Sequence, residues 1–412
     1  MKPIFAAAFA ALFLFDAGVA AAPRPAGPDV LFAQGQFDAA AAEYQAVPKG
    51  SQGYEPALRQ LGAIALFRNH PEEAETMLRK ALALNPGDGR STGLLAEALN
   101  REGRFAEMAQ LLRQIGRPER AAEFELFGKN QPYRVRGKAA PTTIPFEQTN
   151  PLPAVMVKVN DLEGLFLIDT GAPEIVLDPE YAREAQVATT AGSRGAAAGV
   201  ASSGVSFARV ARFGLQGLEV DDVPAMLLGM SGFSSLARGK HVAGVIGTSF
   251  LSHFRATLDY VHDRLILEPR DAQVRSGPVV AEAPFLFVGD HFLLAQGRLN
   301  KAPKQFFLVD TGLAPYAFTA PESTLREAGI AVPALQSSRS GRTVGPPAAR
   351  FPIANLSLGS LEEKNLSGVF GRFPPPLELA LGVRLGGIVS HAYFLPYSVT
   401  FDFVRMKIEF RK

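Results

Sequence analysis

Cysteine is absent from the 412 residues. That excludes disulfide staples, thiolate metal sites, a cysteine nucleophile and an acylated cysteine anchor. It fixes no compartment, because a chain of this length can bury a core without disulfides even in an oxidising space. An excess of charge of either sign is also lacking. Lys and Arg number 42 against 40 Asp and Glu, a net +2, which leaves no electrostatic footprint for a nucleic acid. Histidines number six, at positions 70, 241, 253, 262, 291 and 391. None has the His-Glu-x-x-His spacing, so they read as surface or cleft-side groups and no metal site is expected. There is no Gly-x-Ser-x-Gly nucleophile elbow and no Gly-x-x-x-x-Gly-Lys phosphate loop. What remains is an ordinary globular balance, 47% apolar and 20% charged, in a length suited to two to four domains.

The N-terminus departs from that balance. Lys2 precedes the apolar run Ile4 to Phe15, and small residues follow at Gly18 to Ala22. A positive start, a short apolar centre and a small-residue exit predict a secretory signal over residues 1–22, too short to span a bilayer comfortably. Pro23 disfavours a cut just after Ala22, so cleavage is expected after Ala20 or Ala21. The mature chain is then expected in the periplasm or outside the cell, with no transmembrane segment.

Residues 23–130 are rich in Ala, Leu, Glu, Gln and Arg, which favours helix. A 34-residue repeat runs through them: Gly35-Gln36-Phe37-Asp38-Ala39-Ala40, then Asn69-His70-Pro71-Glu72-Glu73-Ala74, then Gly103-Arg104-Phe105-Ala106-Glu107-Met108. The register holds at Tyr44, Leu78 and Leu112. A 34-residue helix-turn-helix period is the tetratricopeptide signature, and each pair leaves an apolar face that only the next can cover. Asn85-Pro86 falls where such a repeat ends its second helix. Such an array offers a surface for a protein partner.

From Gln131 prolines punctuate the chain and helical periodicity stops. Val155 to Val159 and Leu165 to Ile168 read as strands. This second part is itself duplicated. Gly164-Leu165-Phe166-Leu167-Ile168-Asp169-Thr170-Gly171 matches Gln305-Phe306-Phe307-Leu308-Val309-Asp310-Thr311-Gly312 at an offset of 141. Gly244-Val245-Ile246-Gly247, Thr257 and Asp259 match Gly387-Ile388-Val389-Ser390, Thr400 and Asp402 at 143. Two β-rich lobes are predicted, over 131–275 and 276–412. Asp259 and Asp402, before a turn and a closing strand, are expected to have hydrogen-bonding roles in the structure.

An apolar strand that ends in Asp-Thr-Gly places a carboxylate where the strand interior excludes charge. Gly171 and Gly312 let the backbone turn sharply, and the hydroxyls of Thr170 and Thr311 can tie two such loops together. The Asp-Thr-Gly-Ala of Asp169 to Ala172, Ile175-Val176-Leu177 and the later Gly244-Val245-Ile246-Gly247 before Phe250-Leu251 resemble one half of a retropepsin-like aspartic protease. The resemblance covers about residues 142 to 412 and extends to bacterial aspartyl-protease families. It implies an all-β barrel in each lobe, a mobile hairpin flap and catalysis by two aspartates, Asp169 and Asp310, with Thr170, Gly171, Thr311 and Gly312 as loop support. It implies a peptide or protein substrate and neither metal nor cofactor. Two carboxylates ~4 Å apart repel by about 4 kcal/mol at an effective dielectric near 20, enough to separate their titrations by about three pH units. Such a pair holds one proton near neutrality.

The flap is expected in the Gly/Ala/Ser-rich stretch from Ala191 to Ser206, with Ser337 to Pro347 as its counterpart; a plain surface loop is the alternative. Leu313 follows the second motif where the first has Ala172, and Ser390 stands in place of Gly247. Two outcomes stay open: a competent second lobe, or a degenerate one with Asp169 pairing across a dimer. For the whole chain the alternative to a peptidase is an adaptor whose protease-like part binds peptide without cutting it.

Overall fold

The structure is a computed structural model that describes residues 27–137, 141–190, 206–273, 277–335, 339–340, 343–344, 348–371, 377–378 and 381–412. The expected signal over 1–22, nearly all of the expected flap and most of its counterpart lie outside the described residues.

Seven helices run from Pro28 to Glu125: α1 (Pro28–Ala33), α2 (Phe37–Gln45), α3 (Tyr54–Phe67), α4 (Pro71–Leu84), α5 (Gly89–Arg101), α6 (Phe105–Gln114) and α7 (Pro118–Glu125). The 34-residue register is visible in the backbone. Gly35, Asn69 and Gly103 all have positive φ, at 73°, 61° and 73°, and each turns one helix into the next two residues later. That conformation suits glycine and, next best, asparagine. Pro71 and Pro118 begin α4 and α7, where a missing N–H costs nothing. The side chain of Asp88 caps α5 by accepting from the amides of Arg90 and Ser91. α4 stops at Leu84, just before the Asn85-Pro86 pair. Ala40, Ala74, Leu78 and Ala81 are fully buried between neighbouring helices. Among the described residues no helix is long and apolar enough to cross a membrane.

The β-rich part contains the duplication. In lobe 1 the strand Leu162–Ile168 runs parallel to Gly244–Ile246, and Ile175–Leu177 lies antiparallel on the other side of Gly244–Ile246. In lobe 2 Gln305–Asp310 runs parallel to Leu385–Ser390, with Phe318–Ala320 antiparallel beyond it. Each lobe adds one long hairpin, Ser206–Leu215 with Leu218–Leu227 and Ala348–Leu358 with Leu361–Gly371. Val155, Val157 and Val159 alternate inward, while Leu165 to Ile168 is buried on both faces, as a strand paired in parallel in a sheet's interior must be.

The lobes are joined by sheet. The strands run in the order Ala281–Val288, Lys407–Arg411, Ser398–Asp402, Phe254–Asp259, Arg264–Pro269, Thr142–Pro145. At its centre Thr257 faces Thr400, and their hydroxyls are 2.8 Å apart. These residues are 143 apart in sequence, the offset of the duplication, so the pseudo-twofold between the lobes passes here. Asp259 and Asp402 have the expected bonding roles. Asp259 accepts from Arg264 Nε at 2.8 Å, and Asp402 accepts from the amides of Val404 and Arg405.

The helical array is packed onto lobe 2. Phe32, Phe37 and Phe67 share one core with Val288, Phe292, Leu294, Phe306 and Leu308. The repeat turns lie along that contact. Gly35 abuts the Phe306 ring, and Asn69 Nδ2 donates to the carbonyl of Phe403 at 3.1 Å. Arg101 donates to the carbonyls of Phe287 and Gly289 at 2.9 and 2.8 Å.

Candidate active site

The two Asp-Thr-Gly loops meet within one chain, at the ends of the strands Leu162–Ile168 and Gln305–Asp310. Each apolar strand delivers its aspartate to the lobe interface. Asp169 donates its amide to Ile246 O at 3.0 Å, and Asp310 pairs with Ser390 on the parallel strand. The threonines then cross. The amide of Thr170 donates to Thr311 Oγ1 at 3.0 Å, and the amide of Thr311 donates to Thr170 Oγ1 at 3.0 Å. Thr170 Oγ1 also donates to Val309 O at 3.1 Å. A tie of this reciprocal kind fixes one loop against the other with buried bonds that water cannot replace.

Within each loop the glycine amide turns back to its own aspartate: Gly171 N donates to Asp169 Oδ1 at 2.7 Å and Gly312 N to Asp310 Oδ1 at 2.8 Å. The same glycines carry the opposite aspartates on their bare faces. A Cβ on Gly171 would sit 2.7 Å from Asp310 Oδ2, and one on Gly312 would be closer still to the Asp169 carboxylate. Any side chain at either position would displace a carboxyl group. The two carboxyls are hydrogen-bonded to each other. Asp169 is 8% exposed and Asp310 2%.

The two acids are not equivalent. Burial pushes both above the usual aspartate range. For Asp310 the charge of Asp169 and the hydrogen bond with it push further the same way, well above that range, against the amides of Gly312 and Leu313. For Asp169 the hydrogen bond with Asp310, the Gly171 amide, His291 and the Gly312 amide all pull back toward the ionised form. The pair as a unit therefore retains a proton above the ordinary aspartate range.

Residues 155–250 match the family described as aspartyl protease, and residues 31–96 match a tetratricopeptide repeat. The chain carries a retropepsin-like aspartyl protease domain behind tetratricopeptide repeats. No curated protein matches it. The aspartyl protease match contains Asp169; Asp310 lies beyond it, in the lobe related to it by the duplication.

Ser390 and Leu313 are accommodated. Gly247 has no room for a side chain, since a Cβ there would lie 2.6 Å from Ala172 O. Ser390 is bonded to the facing loop, its amide donating to Ala317 O and its Oγ to Tyr316 O, each at 2.9 Å. Leu313 packs against the core shared with the helical array. The reading of the histidines as surface or cleft-side groups needs correction at two positions. His291 and His391 are 2% and 1% exposed. His291 Nδ1 is 2.6 Å from Asp290 Oδ1, and burial holds His391 down to about 4.

Two other residues at the site have little or no mark in the sequence. Thr248 Oγ1 donates to Thr170 O at 2.8 Å, a prop for the first loop. Its place directly after Gly247 was the available clue. Glu174, five residues past Asp169, is 2% exposed and is held by Arg120 of α7. Nothing local in the sequence connects those two.

Proposed function

We propose that the protein is an exported aspartic endopeptidase that cuts peptide bonds with Asp169 and Asp310 and forms no covalent intermediate. The carrying observation is the reciprocal seating of the two loops, which presses each glycine against the other loop's aspartate. In this reading Asp169 is the ionised partner. It takes a proton from a water as that water attacks the scissile carbonyl carbon, while protonated Asp310 donates to the carbonyl oxygen. The tetrahedral species then collapses: the C–N bond breaks as Asp169 passes its proton to the leaving nitrogen, and Asp310 recovers a proton from the hydroxyl as the new carboxyl forms. The N-terminal run from Lys2 to Ala22 supports the export part of the reading.

Activity is expected on the acid side of neutral. It falls at higher pH as the pair loses its proton, and at lower pH as Asp169 gains one, above the ordinary aspartate range. The test is cleavage of an unfolded protein across pH by the full chain, by Asp169→Asn and by Asp310→Asn. Each variant should lose activity by about three orders of magnitude or more, the scale expected when a general acid or base is removed. Activity retained in both variants sinks the shared pair.

A further inference from the structure

The Asp169 loop is tied down differently from its twin. In lobe 2 the loop after Asp310 is held by its own lobe, through Ser390 Oγ to Tyr316 O and the Ala392 amide to Tyr316 O. In lobe 1 the same kind of tie recurs, with the Ser249 amide donating to Pro173 O at 2.8 Å, and a further one comes from the helical array. Arg120 Nη1 lies 2.9 and 3.0 Å from the two carboxylate oxygens of Glu174, and it also bonds Glu123 of its own helix. The guanidinium is stacked between two rings, 5.2 Å from the centroid of Phe124 and 4.9 Å from that of Phe207. Phe207 belongs to the long hairpin of lobe 1. Ala172-Pro173-Glu174 reads Ala314-Pro315-Tyr316 in lobe 2, so no carboxylate stands at the counterpart of Glu174.

We propose that Arg120 is a positioning residue for Asp169: it holds Glu174, and through Glu174 the turn that aims the carboxylate. The inference rests on the peptidase reading for its kinetic consequence, but its structural part stands without it. The backbone from Ala172 to Glu174 is packed directly on Gly247, with Glu174 N only 2.8 Å from where a Cβ would be. The Thr248 amide donates to Ala172 O at 2.9 Å, and Thr248 Oγ1 reaches Thr170 O. A shift at Glu174 is therefore passed to the residue beside Asp169. Two buried carboxylates, Glu123 and Glu174, share this one guanidinium, and Asp290 adds a third negative group from lobe 2, beside His291. Burial favours the neutral acids, and Arg120 is the first group that opposes it at both glutamates. Without the cation Glu174 must take a proton or leave its site, because an unpaired buried carboxylate is strongly disfavoured.

The test uses the full chain with Arg120→Met, Glu174→Gln and the double variant. Amide hydrogen exchange over residues 169–175 is measured beside kcat and KM. In Arg120→Met, exchange in that segment should rise and kcat should fall, each by about tenfold or more, with KM within about twofold, as expected for a misplaced catalytic group rather than a lost binding contact. In the double variant the neutral amide can stay in place, and most of both effects should disappear. Unchanged exchange in Arg120→Met overturns the proposal, and so does an undiminished loss in the double variant. Raised exchange throughout lobe 1 in Arg120→Met also overturns it, since that marks general loosening. If Arg120→Met does not fold, Arg120→Lys takes its place with the same criteria, because an ammonium lacks the flat guanidinium that lies between the Phe124 and Phe207 rings. An inactive wild-type chain that still shows the local exchange response retires the peptidase reading and leaves Arg120 as the holder of the loop.

Discussion

At Asp310, burial, the charge of Asp169 and their shared hydrogen bond all favour the protonated acid. That has a consequence for stability, and its sign is fixed. A carboxyl whose folded pKa is raised contributes stability that is fully present below the unfolded pKa and is lost as pH rises through the folded one. Ionising Asp310 therefore opposes folding at neutral pH. Asn at this position carries no charge and keeps a donor for Asp169. Asp310→Asn should unfold at a higher temperature than wild type at pH 8, and the gap should close toward pH 4. Thermal unfolding at the two pH values checks this; a variant less stable than wild type at both would show that the pair carries no such strain. Asp169, Thr170, Asp310 and Thr311 could be picked from the sequence because each motif ends an apolar run and both stand inside a repeat. Thr248 and Glu174 could not, since a lone hydroxyl or carboxylate after a turn has many ordinary uses. The burial of His391 is not legible in the sequence, because it depends on Asn150 and Tyr260, both distant along the chain.

Among the elements, the six-stranded junction between the lobes has the most concentrated charge. Arg255 is fully buried in it, 2.7 Å from Glu409, 3.1 Å from Glu268 and 3.4 Å from Asp402. The carboxylates come from both lobes, so the cation sits across the pseudo-twofold. Arg255→Met leaves these acids buried without their shared partner and should cost about 3–5 kcal/mol, read from denaturant unfolding of the full chain. A cost under about 1 kcal/mol would show that Arg405, Lys407 and Arg411 neutralise the cluster without it. Burial alone would raise Asp402 and Glu409, but bonds from Arg405, and from Arg411 and Lys407, outweigh it and hold both below the usual range. Acids shifted that way stabilise above their unfolded pKa and cease to as pH falls through the folded one. The junction thus withstands mild acid, where the Asp pair is expected to work. The duplication was legible because its strands recur at nearly fixed offsets, 141 at the Asp-Thr-Gly motifs and 143 from Ile175 and Phe318 onward. The ion cluster was not: at offset 143 from Arg255 stands Ser398, so its central cation does not repeat with the strands.

For the molecule as a whole, the helical repeats and the protease lobes share one interior. The 34-residue period predicted stacked helices, and the stacking is there, but the array also has a face buried on lobe 2. No periodicity could announce this, because an apolar face covered by the next repeat and one covered by another domain read alike. Phe37 and Phe306 are 5.7 Å apart between ring centroids, and Arg384 N donates to Ala33 O at 2.9 Å. Removal of the array would uncover Val288, Phe292, Leu294 and Phe306, each worth about 1.5–3 kcal/mol when fully buried. It would also strip Arg120 from Glu174. A chain that begins at Phe127 should therefore be recovered aggregated, or with unfolding no longer cooperative, while the full chain is soluble and unfolds as one unit. Size-exclusion chromatography and calorimetry on the two chains decide it. A monomeric, cooperatively folded 127–412 fragment would mean that the lobes form an independent core and that the repeats are an attachment. If the fragment fails as expected, the repeats are part of what makes the cleft, and any partner they recruit binds to a scaffold on which the Asp169 loop already depends.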